Sequence, residues 1–155
     1  MPLGTSGGDR DGYGNYQGDQ LVIVSHIYVD EHGESHFADL ELPESVVPSA
    51  PGLPDMLSTA SIEATNLRLI STKPDAMASG WHPAPRRQFS LMLKGSVAVE
   101  VSDGEIRQFK SGSVLFFEDT WGKGHLNHAM DTGDILLGFV AVPDHSIATR
   151  GDSAR

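Results

Sequence analysis

From Leu21 onward the chain alternates short apolar runs with punctuation by glycine, proline and acidic residues. Leu21–Val29 is rich in β-branched side chains and predicts a strand. Asp30–Ser35 is polar, with Gly33 available for a positive φ, and His36–Leu42 largely alternates polar with apolar. These two runs therefore predict a hairpin with one solvated face. Pro43, Pro48, Pro51 and Pro54 make 43–54 an irregular crossover. Ser61–Ile70 fits helix or strand by composition, and the alternation of its second half favours strand. Lys73–Pro85 predicts a second irregular connection.

Beyond it the spacing is regular. Gln88–Leu93, Val97–Val101, Ile106–Lys110, Val114–Phe117, His125–Met130 and Ile135–Val142 predict strands. Glycine-bearing turns separate them, among them Ser102-Asp103-Gly104-Glu105, a tight turn of the Asp-Gly kind. Short strands at this spacing with no helical period mean an all-β sandwich or barrel. Residues 1–19 carry six glycines and few aliphatic side chains, too little apolar surface to offset ordering, so they predict a mobile tail. Residues 144–155 are polar and predict a second flexible tail, leaving 20–143 as a single domain.

Composition narrows the function. A chain of 155 residues is one domain by size. The absence of cysteine removes disulfides, thiolate catalysis and cysteine-based zinc sites, and suits a reducing compartment. No apolar run approaches the roughly 20 residues of a membrane helix, so the expected protein is soluble and cytoplasmic. A formal net charge of −10 argues against nucleic acid as partner, because that binding rests on clustered Lys and Arg. Arg86-Arg87 is the one tight basic pair outside the predicted tails, and surface acids are its expected partners.

Strand parity then selects a pocket. If Gln88 faces the interior, so do Ser90 and Met92; if His125 does, so does Asn127 while His128 turns away. The five together make a mixed polar and apolar lining suited to a small organic ligand. His125 is the candidate acid/base, since histidine is the side chain most readily poised near neutral pH. Glu118 or Asp119 would orient it; only one of two adjacent residues can enter the pocket, and Glu118 is favoured by its parity with Phe116 and Val114. Lys123 or Arg87 would hold an anionic or enolic oxygen. Trp81 and Trp121 would plug the mouth or stack on substrate, and Gly122-Lys123-Gly124 is either an anion-contacting loop or a flexible turn. His26, His32 and His36 are expected at the surface or at an edge.

Two stretches, His82–Gly95 and Gly112–His125, resemble the cupin family of double-stranded β-helix (jelly-roll) proteins. The first cupin motif runs glycine, five residues, His-x-His, three or four residues, Glu, six residues, glycine. His82 falls on its first His, Ala84 on the second, Gln88 on the Glu and Gly95 on the closing glycine, with Ala76 at the leading glycine. In the second motif Gly112 matches the glycine, Glu118 replaces a proline, and His125 matches the His after a loop two residues longer. Pro85-Arg86-Arg87-Gln88 and Glu118–His125 are similar to those of small single-domain cupins. The resemblance covers 80–143 and implies a cupin-like jelly-roll barrel, here with an N-terminal β-hairpin extension.

Metal-bearing cupins use three His and one Glu. The positions retained here give His82, Gln88 and His125 as a candidate set for Mn, Fe, Zn or Ni, without the charged ligand. The expected activity is that of a small-molecule enzyme of lyase, isomerase or cyclase type, working by acid/base or weak Lewis-acid catalysis. The alternatives are a non-catalytic binder of a small metabolite and a metal-dependent dioxygenase. Uncovered β-edges make a homodimer an open expectation.

Overall fold

The computed structural model describes residues 21–77, 80–147 and 149, so the expected 1–19 tail lies outside it. In chain order the elements are β1 (Leu21–Val29), β2 (Ser35–Val47), β3 (Met56–Thr59), β4 (Asn66–Thr72), α1 (Pro74–Met77), β5 (Gln88–Lys94), β6 (Ser96–Val101), β7 (Ile106–Lys110), β8 (Val114–Phe117), β9 (His125–Ala129) and β10 (Ile135–Ala141). Among the described residues the fold is all-β, with one helix of four residues. Seven strands form one sheet in the order β3-β2-β1-β8-β5-β10-β4, and three form another, β7-β6-β9. Among the described residues the two sheets are not hydrogen-bonded into one closed barrel. No helix of the described residues is long and apolar enough to cross a membrane.

The crossover expected over 43–54 is shorter than its prolines suggest. β2 runs through Pro43 to Val47 and then pairs with β3. Pro43 stands opposite Leu21 at the last β1–β2 pair, where a missing N–H costs the ladder little. The strand expected over 61–70 forms later, as β4, and pairs with β10.

Alternation sorts the side chains onto two faces. Ile27, Met92, Leu115, Phe117 and Leu137 fill the space between the sheets together with Val97, Val99 and Val101 of β6. Val24, Phe89 and Phe116 pack on the opposite face of the larger sheet with Val142. The β5–β8 register sets Gln88 against Phe117 and Phe89 against Phe116. One residue beyond each strand end, the same alternation carries Arg87 and Glu118 to the outer face.

There they meet in a buried cluster. Arg87 Nε donates to Glu118 Oε2 at 2.6 Å, and both side chains are almost fully buried. His26 Nε2 lies 3.2 Å from Glu118 Oε1, so His26 is a core residue rather than the surface or edge histidine expected. The Arg87 guanidinium also donates to the carbonyls of Pro143 (2.9 Å), Asp144 and Ile147 (2.7 Å), and Thr149 Oγ1 donates to Glu118. The described part of the expected C-terminal tail is thus tied to strands β5 and β8. An exposed surface pair was the expectation for Arg87; alternation buries it instead.

Burial pushes the Glu118 carboxyl up, but hydrogen bonds from His26 and Thr149 and the charges of Arg87 and His26 outweigh it and hold the group at about 2. A depressed carboxyl contributes stability that is complete above its ordinary value near 4.5 and is lost as pH falls through about 2. Urea unfolding of the wild type and Glu118→Gln between pH 5 and pH 2 reads this directly. The wild type should lose on the order of 3 kcal/mol more than the variant across that window. Parallel pH profiles would contradict it.

Candidate functional site

The inner face of the larger sheet and the facing strand β9 enclose a cavity of about 190 Å³. Gln88, Ser90 and Met92 reach it from β5, and His125 and Asn127 from β9. The side chains of Gln88, Ser90 and Asn127 make no hydrogen bond to another described residue, so their polar atoms remain for a ligand.

His125 opens β9, and its position is fixed through backbone. His82 and His125 form an antiparallel bridge, with N–H···O bonds of 3.1 and 2.9 Å, and Ala84 N donates to the Asp119 carbonyl at 2.9 Å. The segment 82–84 is thereby clipped to the end of β8 and the start of β9. This places the His82 and His125 rings 4.6 Å apart, centroid to centroid, and both line the cavity. His82 Nδ1 donates to the Gly80 carbonyl at 2.8 Å, which leaves Nε2 as the unprotonated nitrogen of the neutral ring.

Asp119, rather than the favoured Glu118, turns toward His125. Its Oδ2 accepts from His125 Nδ1 at 2.6 Å, and both residues are buried. The parity shared by Glu118 and Phe116 is real, but Phe116 faces outward, so Glu118 leaves with it and Asp119 follows Phe117 inward. Asp119 Oδ1 is buried without a hydrogen bond among the described residues. Burial raises the Asp119 carboxyl, with the His125 hydrogen bond and the charges of His125 and His82 pulling the other way.

Other expected site residues lie elsewhere. Arg87 and Glu118 belong to the outer cluster. Lys123 is exposed and pairs with Glu34 at 2.5 Å. Trp81 and Trp121, 47% and 42% exposed, are outside the cavity lining, so neither plugs it. The glycine loop around Lys123 is docked: Lys123 N donates to the Gly33 carbonyl at 2.9 Å, and the Gly124 carbonyl accepts from Ser35 Oγ at 2.6 Å.

No protein-family model matches the chain, and no curated protein matches it in sequence.

Sequence reasoning missed Arg68, which lines the cavity from β4. Its signal was available once β4 was paired: Arg68 stands opposite Phe139, and Phe139 opposite Ser90, so all three share the inner face. As for a metal, His82, Gln88 and His125 do share the cavity wall. Among the described residues, however, no three His, Cys, Asp or Glu side chains are grouped to hold an ion. Asp119 Oδ2 is engaged by His125 Nδ1 and Asp119 is not in the cavity lining, which leaves two imidazoles and an amide. That donor set is neutral and falls short of the three imidazoles, or two imidazoles and a carboxylate, of a resident divalent site, so it does not fit one.

Gly124 is the residue on which the His82–His125 bridge depends. Its φ is +71°, and a Cβ there would lie 2.1 Å from the His82 carbonyl carbon. Gly104 also has a positive φ (+97°) but nothing near it. Gly104→Ala should therefore cost only the ~1–2 kcal/mol of the backbone conformation. Gly124→Ala should cost at least about 2 kcal/mol more, because backbone must move. Urea midpoints measure the difference, and equal midpoints would refute the assignment.

Proposed function

We propose that the chain is a small cupin-like jelly-roll enzyme in which the inter-sheet cavity holds a small organic molecule and His125 moves its protons. The observation that supports this most is the buried His125–Asp119 bond of 2.6 Å behind a cavity-lining imidazole. With Nδ1–H donated to Asp119, the Nε2 lone pair is the base. It takes a proton from a carbon next to a carbonyl, and that C–H electron pair moves into an enolate. The amide N–H groups of Gln88 and Asn127 are the donors available to the enolate oxygen. The imidazolium is stabilised by Asp119, then returns the proton at another atom or gives it to a leaving group. The first outcome is an isomerisation and the second an elimination, and intramolecular capture of the enolate gives a cyclisation.

Asp119 is a positioning residue. Its Oδ2 holds the His125 ring by Nδ1–H and so fixes which nitrogen carries the lone pair.

Incubation of purified protein with a small-molecule metabolite extract, followed by mass spectrometry, tests the reading. The wild type should convert at least one compound to an isomer or elimination product, and His125→Ala should not. Asp119→Asn should retain binding of that compound but turn it over about 10²-fold or more slowly, with a shifted pH profile. A bound compound returned unchanged by the wild type would instead establish a non-catalytic metabolite-binding protein. Turnover that appears only with added Mn, Fe, Zn or Ni and O₂ would replace the reading by a dioxygenase.

A further inference from the structure

The cavity lining carries an unbalanced charge. Among the described residues that line it, Arg68 is the one permanent cation, and no Asp or Glu lines it at all. This occurs in a chain of formal net charge −10. Elsewhere Arg87 is paired with Glu118, and Arg107 with Asp39 and Glu105. Arg68 has no ion pair or hydrogen bond with any described residue.

Its placement is set by the sheet. Arg68, Phe139 and Ser90 form one cross-strand row, and Asn66, Ala141 and Gln88 form a row two residues along. Each strand spacing is about 4.8 Å, so the backbones of Arg68 and Ser90 stand roughly 10 Å apart. Gln88 in turn pairs with Phe117, whose ring lies 4.7 Å from that of His125. The guanidinium therefore marks one rim of the cavity on edge strand β4, and the His125–Gln88 group marks another wall. Phe139 stands between Arg68 and Ser90 in the sheet, and Met92 and Leu137 form the next inward-facing row on the side away from Gln88.

We infer that the cavity takes a small amphiphilic monocarboxylate, with its carboxylate on Arg68 and its apolar body against Met92, Leu137 and Phe139. The polar far end of that molecule faces Gln88, Asn127 and His125. The inference rests on the cavity being the working site and names the substrate class that site accepts. Guanidinium offers a planar pair of N–H donors that matches a carboxylate in two parallel hydrogen bonds. An anion also answers the lining's only fixed charge. Size follows from volume: a benzene ring fills an engineered cavity of about 150 Å³. The present 190 Å³ takes a six-membered ring, or a chain of similar bulk, with a small substituent. The aromatic acid benzoate and its neutral near-isostere benzamide are matched probes for that class.

The test is calorimetric titration of the full chain with sodium benzoate and with benzamide at low ionic strength. The wild type should bind benzoate at least about fivefold more tightly than benzamide. Arg68→Gln should bring both to the benzamide affinity, and 0.5 M KCl should shrink the wild-type preference. Arg68 is exposed, so the substitution leaves folding intact. Lys123→Gln, which removes an exposed cation outside the cavity lining, should keep the benzoate preference; the anion site is read by binding and the proton chemistry by turnover, so each fails or stands separately. Equal affinities in the wild type, a preference that survives Arg68→Gln, or binding of neither probe would each overturn the inference.

Discussion

The antiparallel pairing of β5 with β8 decides which side chains can reach the cavity. Gln88 sits opposite Phe117, so successive residues of both strands alternate in phase between the inter-sheet space and the outer face. A slip of one residue would exchange the faces. If β5 slipped, Arg87 would enter the cavity and Gln88 would turn to the outer face beside Glu118 and His26. The apolar residues of both strands hold the observed register: Met92, Leu115 and Phe117 pack inward while Phe89 and Phe116 pack outward.

That register gives two adjacent carboxyl groups opposite environments. Glu118 is enclosed by Arg87, His26 and Thr149, and stays ionised to about pH 2. Asp119 is buried with one oxygen hydrogen-bonded to His125 and the other without a hydrogen bond among the described residues, and burial raises its carboxyl above the ordinary range. The chemical group is the same; hydrogen-bond supply and nearby charge separate the two. Glu118 anchors chain segments distant in sequence, while Asp119 holds an imidazole at a cavity wall. The Gly124 close approach completes the arrangement by letting His82 bridge to His125.

Much of the fold was legible because short β-branched runs between glycine turns leave few alternatives to stacked sheets. Parity placed Gln88, Ser90, Met92, His125 and Asn127 in the lining, since alternation within a strand needs no tertiary knowledge. Parity between strands was not legible. Choosing Glu118 over Asp119 required knowing that Phe117, not Phe116, faces inward, which two adjacent phenylalanines do not reveal. His26 and Arg87 were misread as surface groups because their partners lie far along the chain, at Glu118 and at 143–149. The docking of Lys123 on the 30–34 turn was hidden likewise, being a contact between two glycine turns. Arg68 lies within the strand expected over 61–70, but which face it takes depends on its pairing with Phe139 of the distant β10.

The account turns on the His125 imidazole presenting Nε2 to the cavity while Nδ1–H is held by Asp119. Long-range ¹H–¹⁵N correlation of the histidine rings at alkaline pH, with His125→Ala for assignment, measures this without any ligand. The account predicts a neutral His125 ring protonated at Nδ1, with a strongly deshielded ring proton that Asp119→Asn shifts. A ring protonated at Nε2, or one averaging between tautomers as a solvated histidine does, would contradict it.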